Sequence, residues 1–244
     1  MRSGILGRRA VCGCVRACNQ AGQALLDLLY PRRCWACQAP TPARLPACAP
    51  CLQALPHPTE AEVRQVWQRV PGALDALDEV HALWSFTAHG MVQSLQHALK
   101  YGNRPTYGHA LGTYLQHALP ASVPPTNPLL VPVPLHRLRL LERGYNQSTW
   151  LAQGLADATG MQMAPGVLTR PRATRTQTRR GRTERRLNLA GAFAVPQPSL
   201  VAGHPVVLVD DVLTTGATLV TAAQALREAG ATHILGLVLA LADR

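Results

Sequence analysis

Residues Val206–Thr218 combine the residue types and spacing best suited to chemistry in this chain. Four aliphatic residues, 206–209, predict a buried strand, and the acidic pair Asp210–Asp211 follows them directly. Small residues, 214–218, then lead into a predicted helix, whose first backbone N–H groups and hydroxyls would form an anion pocket that Gly216 lets a phosphate approach closely. Carboxylates repel phosphate, so the acidic pair is better suited to accepting hydrogen bonds from sugar hydroxyls or to holding Mg²⁺ through water.

Four cysteines form a second candidate site. They make two C-x-x-C pairs, Cys34/Cys37 and Cys48/Cys51, separated by ten residues. Two such pairs can close a tetrahedral zinc site without an open position, which predicts structural zinc and no chemistry. Disulfides are the alternative, but seven cysteines, an odd number, and no secretory signal favour a reducing compartment and metal binding.

The elements that must position these groups alternate between strands and helices. The pattern predicts strands at 80–86, 129–133, 205–209 and 233–241, with the end of another at Val167–Leu168. Helices are predicted at 19–29, 91–100, 106–119, 145–159 and 218–229. This alternation is typical of an α/β fold with a mostly parallel sheet flanked by helices. A transmembrane segment is excluded, because no run of about 18 apolar residues lacks a polar interruption.

The block at 206–218 resembles, at every position, the phosphoribosyl-pyrophosphate (PRPP) signature of type I phosphoribosyltransferases. The resemblance implies that Asp210 and Asp211 bind the ribose hydroxyls. It also implies that the 5-phosphate is cradled by Thr214, Thr215, Gly216, Ala217 and Thr218. Zn²⁺ in the cysteine module and Mg²⁺ accompanying PRPP are the cofactors expected from this combination of motifs.

Three further blocks narrow the family. They are Leu99–Gly102 (LKYG), the stretch 131–147 with VPVPLHR and ERGYNQ, and Arg170–Phe193. Together with the cysteine module and the PRPP block they resemble the ComF family of competence-associated phosphoribosyltransferase-like proteins, over roughly Cys34 to Ala240. The domains expected are an N-terminal extension at 1–30, frayed or a short helix, a zinc ribbon at 31–56, and a phosphoribosyltransferase-like domain at 57–244.

Several basic residues are candidates for binding pyrophosphate. Lys100 is the single lysine of the chain, and a compact ammonium fits a phosphate or carboxylate site where Arg would otherwise have served. His136, Arg137 and Arg143 follow the strand at 129–133, and by resemblance the loop after this strand contacts pyrophosphate. The alternative is that these arginines are ordinary surface charges.

The positive charge is concentrated in one segment. The chain carries a formal charge of +11, and residues 170–186, here called the Arg-rich segment, hold eight arginines against one acid, Glu184. In the resembling superfamily this position is the hood that closes over the active site, with Arg175 and Arg179 as candidate pyrophosphate ligands. The same charge suits single-stranded DNA, although no aromatic residue between Trp150 and Phe193 offers stacking.

Three functions remain open at the level of sequence. The family resemblance implies a cytoplasmic protein that handles incoming single-stranded DNA during natural transformation, with competence-machinery proteins as partners. The PRPP block fits equally an active phosphoribosyltransferase of nucleotide salvage or metabolism that displaces pyrophosphate from PRPP. A regulatory PRPP sensor without catalysis would use the same residues.

Overall fold

The computed structural model describes residues 33–41, 45–87, 90–102, 104–123, 128–171 and 191–242. One compact unit of the chain ends at Gln53, and a second begins at Ala54. The predicted N-terminal extension, the helix at 19–29 and the Arg-rich segment beyond its first two residues lie outside the described residues. The predicted domain bounds stay predictions.

A four-stranded parallel sheet organises the second unit. Its strands are β1 (Glu79–Ser85), β2 (Leu129–Pro132), β3 (Val206–Leu213) and β4 (Ile234–Leu241), in the spatial order β1-β4-β3-β2. All eight residues of β4 are buried, as expected for a parallel strand covered on both faces. The prediction of a mostly parallel sheet therefore holds for the described strands.

The described helices surround this sheet, apart from α1, which belongs to the first unit. None of them is long and apolar enough to cross a membrane. In chain order they are α1 (Ala49–Gln53), α2 (Glu60–Trp67), α3 (Ala73–Ala76), α4 (Met91–Tyr101), α5 (Pro105–Tyr114), α6 (Arg137–Arg143), α7 (Gln147–Thr159) and α8 (Ala217–Glu228), with 3₁₀ turns at Leu115–Ala118 and Pro198–Leu200.

The two faces of the sheet bury alternate side chains. Val206 and Leu208 of β3 belong to the core that includes Leu219 and Leu226 of α8. The intervening Val207 is equally buried but lies outside that core, and α7 contacts β2 and β3. Period-2 alternation thus explains how one strand packs against helices on both sides.

Close packing of α5 against α7 depends on glycine. A Cβ on Gly154 would lie 1.9 Å from the carbonyl oxygen of His109, and one on Gly112 would lie 2.2 Å from that of Leu151. These glycines let the two helix backbones approach each other where any side chain would clash. The contact fixes α7, whose first residues reach the acidic pair of β3.

Four helices were not predicted from the sequence: α1, α2, α3 and α6. For α2 a signal was present, because Thr59 and Glu62 form a capping box in which Glu62 Oε2 accepts from the Thr59 backbone N–H at 2.7 Å. The helix α6 has no buried residue, so apolar periodicity could not mark it.

Two strand predictions need correction. β3 continues through Asp210 and Asp211 to Leu213, so the acidic pair lies within the strand and not after its end. Pairing with β4 explains the extension, since Asp210 is in register with Val238. Val167 and Leu168 lie in a bend directly before Thr169, and their apolar character reflects burial in the core and not a strand.

Candidate functional site

The carboxyl ends of β2 and β3 meet at one point of the sheet. Pro132 is in register with Val209, and the Val133 N–H donates to the Val209 carbonyl at 2.9 Å. After β2 the chain passes through α7 to Met163, which forms a parallel bridge with Leu130. After β3 it passes through α8 to β4, on the other side. Two neighbouring strands whose connections leave in opposite directions form the crevice where open α/β sheets bind ligands.

Asp210 lies at this crevice and is buried, with 8% of its surface exposed. Its Oδ1 accepts from the Ser148 hydroxyl at 2.9 Å and from the Asp211 backbone N–H at 2.9 Å. Ser148 is itself held, because the Asn146 side chain accepts from its backbone N–H at 3.2 Å and caps α7. The Asn146 amide also donates to the Val133 carbonyl at 3.0 Å, which ties the start of α7 to the end of β2.

Asp211 has a different partner. Its Oδ2 lies 2.9 Å from Nζ of Lys100 at the end of α4, an ion pair in which the carboxylate side chain is 6% exposed and the lysine 22%. The Gln96 amide, one turn earlier in α4, lies 3.4 Å from the Asp211 backbone carbonyl. The single lysine of the chain therefore forms an ion pair with a carboxylate. The sequence had left open whether it would bind a phosphate or a carboxylate.

Asp210 and Asp211 lie in different electrostatic environments. Burial, followed by the negative charge of Asp211, raises the pKa of Asp210 to about 7. The hydrogen bonds from Asp211 N–H and Ser148 and the charge of Lys100 oppose this shift without cancelling it. A carboxyl group whose pKa is raised by burial and by a neighbouring charge, in a ligand crevice, is a candidate functional group.

The loop after β3 leads into α8 at Gly216. Thr214 and Thr215 are exposed, and Gly216 has φ +80°. A Cβ at Gly216 would lie 2.9 Å from Cα of Trp67 in α2. Glycine is therefore required by the left-handed turn and by the approach of α2, a reason additional to the phosphate approach inferred from the sequence.

The other predicted basic ligands divide between the described and undescribed parts of the chain. His136 caps α6, with Nδ1 accepting from the Leu138 N–H at 3.3 Å. Arg137 is exposed at the first position of α6, and Arg143 donates to Gln147 Oε1 at 3.1 Å. Arg175 and Arg179 lie outside the described residues. A pyrophosphate role for any of these residues stays a prediction.

Arg170, at the start of the Arg-rich segment, lies near the same crevice. Thr169 and Ala194 are bridged by two backbone hydrogen bonds of 2.8 and 3.0 Å, and the Arg170 guanidinium lies 5.1 Å from the Phe193 ring centroid. Burial lowers the pKa of Arg170, while the charge of Asp210 opposes the shift. Sequence reasoning missed Ser148, Gln96 and this approach of Arg170, because each depends on a contact between distant segments.

The four cysteines of the first unit come together. Their Sγ atoms all lie within 4.8 Å of one another, and those of Cys37 and Cys48 are 3.6 Å apart. Thiolates about 2.3 Å from one zinc ion at tetrahedral corners are about 3.8 Å apart, so the spacing suits a metal ion. Cys34 is buried, and its Sγ lies 3.4 Å from the Ala36 backbone N–H.

The chain reverses within the first cysteine pair. Gln38 follows Cys37 with φ +62°, and its N–H donates to the Cys34 carbonyl at 3.0 Å. The backbone hydrogen bond from Cys37 lowers the pKa of Cys34 to about 6, and hydrogen bonding with Cys48 raises the pKa of Cys51 to about 12. Four thiols at this spacing cannot all ionise without mutual repulsion, and a divalent cation would offset that repulsion.

Comparisons with known proteins bear on this site. A family model described as phosphoribosyl transferase domain matches residues 146–244, which include the acidic pair and its loop. DNA utilization protein YhgH of Escherichia coli O157:H7 is 32% identical over 234 residues, 94% of this chain and 89% of that protein. Competence protein F of Haemophilus influenzae is 36% identical over 106 residues, 43% of this chain and 46% of that protein.

Other alignments are shorter. The YhgH protein of Salmonella typhi is 40% identical over 144 residues, and the chain spans 63% of its length. A solved structure of the allosteric regulatory enzyme of purine biosynthesis is 25% identical, covering 58% of this chain and 29% of that chain with a TM-score of 0.40.

The predicted family and fold class are confirmed by these findings taken with the structure. The YhgH relative aligns over nearly the whole chain, and the phosphoribosyl transferase model covers the acidic pair that the parallel sheet presents at its carboxyl edge. The second unit accordingly has a type I phosphoribosyltransferase fold, and the chain belongs to the ComF family.

Proposed function

We propose that this protein binds PRPP, with Mg²⁺, at the crevice between β2 and β3, and that it uses this site in the handling of DNA taken up by the cell. The observation that carries the proposal is the buried Asp210–Asp211 pair near the carboxyl end of β3, which two further strand residues separate from an exposed threonine loop and a helix N-terminus. The chemistry of a sugar phosphate matches this order of groups.

Each part of PRPP finds a complementary group. The hydroxyls of the ribose would donate to the carboxylates: to Oδ2 of Asp210, since its Oδ1 already accepts two hydrogen bonds, and to Asp211 beside its ion pair with Lys100. The 5-phosphate would lie against the loop 214–218, where the first N–H groups of α8 have no partner within the helix. Carboxylate oxygens are also the donors that Mg²⁺ prefers, so the residues present suit that ion.

The pyrophosphate of PRPP requires positive charge on the opposite side of the ribose. Arg170 and Arg139 interact electrostatically with each other, and Arg170 also with Asp210, which indicates that these guanidinium groups lie near the crevice. Arg143 and Lys100 flank the start of α7 and the acidic pair. We propose these groups as the pyrophosphate environment, with His136 and Arg137 at its edge.

The cysteine module, which we assign to residues 31–56, is proposed to bind one structural zinc ion. All four donors are thiols, and four thiolates complete the tetrahedral coordination of a structural zinc ion without water. Zinc binding would supply folding free energy to a unit that is too short to bury a large core.

The DNA part of the proposal rests on relatives and on charge. YhgH is named a DNA utilization protein and the Haemophilus relative a competence protein. Concentrated arginine charge, as at 170–186, favours phosphate backbones, with affinity that falls steeply with salt. We expect this work to take place in the cytoplasm, where reduced thiols remain available for metal, together with proteins of the competence machinery.

Phosphoribosyl transfer is the second candidate, and the raised pKa of Asp210 favours it. A carboxylate that titrates near pH 7 can accept a proton from an acceptor nucleophile. The nucleophile would bond to C1 of the ribose while the C1–O bond to pyrophosphate breaks, and pyrophosphate would leave with the electron pair. Release of pyrophosphate from PRPP in the presence of candidate nucleophiles tests this directly.

Calorimetric titration with PRPP and Mg²⁺ tests the binding site itself. We expect Asp210→Asn and Asp211→Asn to weaken PRPP binding at least tenfold each, because an amide accepts fewer hydrogen bonds than a carboxylate and holds Mg²⁺ less well. Asp75→Asn, a change of an exposed acid on α3, is the matched control. Equal affinity in the wild type and both variants would refute the proposal.

A further inference from the structure

Tyr101 is a large aromatic side chain that the proposed PRPP site does not use. It is the last residue of α4, in the LKYG motif, and 65% of its surface is exposed. Tyrosine is enriched at binding surfaces because its ring is apolar and its hydroxyl is polar. An exposed tyrosine near a ligand crevice is therefore a candidate binding group. Lys100, its neighbour in sequence, contacts Asp211 in that crevice.

The Tyr101 ring is held in place although it is exposed. The His97 ring, one helical turn earlier, lies 4.9 Å from it between centroids, and the Arg143 guanidinium carbon lies 5.6 Å from its centroid. Arg143 is in turn fixed by its hydrogen bond to Gln147 at the start of α7. The ring therefore needs little ordering when a ligand binds, which lowers the entropic cost of association.

The helix α6, which carries Arg143, is exposed and positively charged. The helix α6 exposes Arg137 and Arg139 together with Leu138, Leu140 and Leu141, which are 59%, 42% and 72% exposed. Among described residues of α6, Glu142 is the single acid against three arginines. A ring in contact with Arg143, on a helix with two further exposed arginines, is complementary to a ligand that combines flat apolar faces with negative charge.

We propose that Tyr101, supported by His97 and Arg143, is a stacking platform for a base of single-stranded nucleic acid, whose phosphates the arginines of α6 bind. This inference rests on the proposed DNA function and deepens it by naming the surface that contacts the bases. It also supplies the aromatic group that the Arg-rich segment lacks. Stacking on one ring accepts every base, so binding is indifferent to sequence.

A double comparison isolates the stacking contribution. Fluorescence anisotropy with the full chain would measure affinity for an oligothymidylate and for an abasic oligonucleotide of the same length and charge. We expect the wild type to prefer the oligothymidylate about tenfold, and Tyr101→Ala to lose that preference while keeping its affinity for the abasic strand. Tyr101→Phe should retain the preference, and Leu74→Ala, which alters another exposed apolar residue, should behave as the wild type.

The outcomes separate this inference from the function on which it rests. Equal wild-type affinity for the two oligonucleotides, or an unchanged preference in Tyr101→Ala, overturns the stacking platform and leaves DNA binding intact. Failure of the wild type to bind either oligonucleotide overturns the DNA function and the platform with it. PRPP shares the arginines of α6 with the oligonucleotide, so PRPP alone is expected to displace part of the oligothymidylate. Displacement that additionally requires a free nucleobase overturns the nucleic-acid assignment, because the ring then serves an acceptor base.

Discussion

Lys100 Nζ and Asp211 Oδ2 lie 2.9 Å apart at the carboxyl edge of the sheet, although α4 and β3 are distant in sequence. The pair joins the single lysine of the chain to one of its two candidate ribose ligands. Its consequence is that the adjacent carboxylates are not equivalent: Asp211 is neutralised by an ammonium, whereas Asp210 depends on two hydrogen bonds to Oδ1.

Replacement of Lys100 by methionine should destabilise the protein. The substitution leaves a largely buried carboxylate without its cation, and we expect the free energy of unfolding to fall by about 2 kcal/mol at neutral pH. Urea denaturation would measure the change, with Asp211→Asn and the double variant completing a mutant cycle. The Lys100→Arg variant, which keeps the charge, is the control. Additive effects of the two single changes would show that the ion pair contributes nothing.

Replacement of Asp210 by asparagine should stabilise the protein in a pH-dependent way. Burial and Asp211 raise the pKa of Asp210 to about 7 in the folded state, above its value in the unfolded chain. The folded state then binds more protons between about pH 4 and pH 7, so wild-type stability falls as pH rises through that window and the full penalty is present above it. The neutral amide escapes this penalty.

The expected gain for Asp210→Asn is on the order of 2 kcal/mol at pH 8 and close to zero at pH 4. Thermal and urea unfolding at several pH values would measure it. Asp157→Asn is a useful contrast, since hydrogen bonding to His109 lowers the pKa of that exposed carboxylate and no gain at pH 8 is expected. A constant difference between Asp210→Asn and wild type across this range would contradict the assigned pKa shift.

Replacement of Gly154 by alanine should loosen the contact between α5 and α7. The new Cβ would lie 1.9 Å from the His109 carbonyl oxygen, and since backbone cannot yield as a side chain can, the helices must separate. We expect a loss of about 2 to 3 kcal/mol in the free energy of unfolding. Gln153→Ala, which removes an exposed hydrogen bond on the same helix, should cost at most about 0.5 kcal/mol.

The same variant links packing to the site. Ser148 lies on α7, so separation of α7 from α5 would also move the Ser148 hydroxyl that donates to Asp210. PRPP affinity should therefore fall in Gly154→Ala under conditions where the protein is still folded. If Gly154→Ala unfolded at the same urea concentration as the wild type, the close-packing argument would be refuted.

Removal of one thiol should abolish metal binding by the cysteine module. We expect purified wild type to contain about one zinc per chain and Cys51→Ser to contain much less, because three thiolates and a hydroxyl bind zinc more weakly. Elemental analysis would measure both, with Cys18→Ser as the control from outside the C-x-x-C pairs. Metal-free wild type with all thiols reduced would exclude the zinc site.

Local sequence determined that an apolar strand, an acidic pair, a loop and a helix lie together at 206–218, because each feature depends on residues within a few positions of one another. Pairing with β4 placed the acidic pair inside the strand. The same holds for the cysteine pairs, whose short spacing brings the sulfur atoms together. Helix and strand bounds at 91–101, 129–132 and 147–159 follow from apolar periodicity and differ from expectation by two residues at most. Four helices, α1, α2, α3 and α6, were not predicted.

Tertiary structure alone decided what surrounds the acidic pair. Lys100, Ser148 and Arg170 reach Asp210 or Asp211 from three separate segments, and no pattern within any one of them reveals the meeting. Their positions follow from the order of the strands and from the close packing of α5 on α7 at glycine. Sequence thus identified the acidic pair, the threonine loop and Lys100, and the order of the strands with the packing of the helices determined which groups lie beside the acidic pair and which of them are paired.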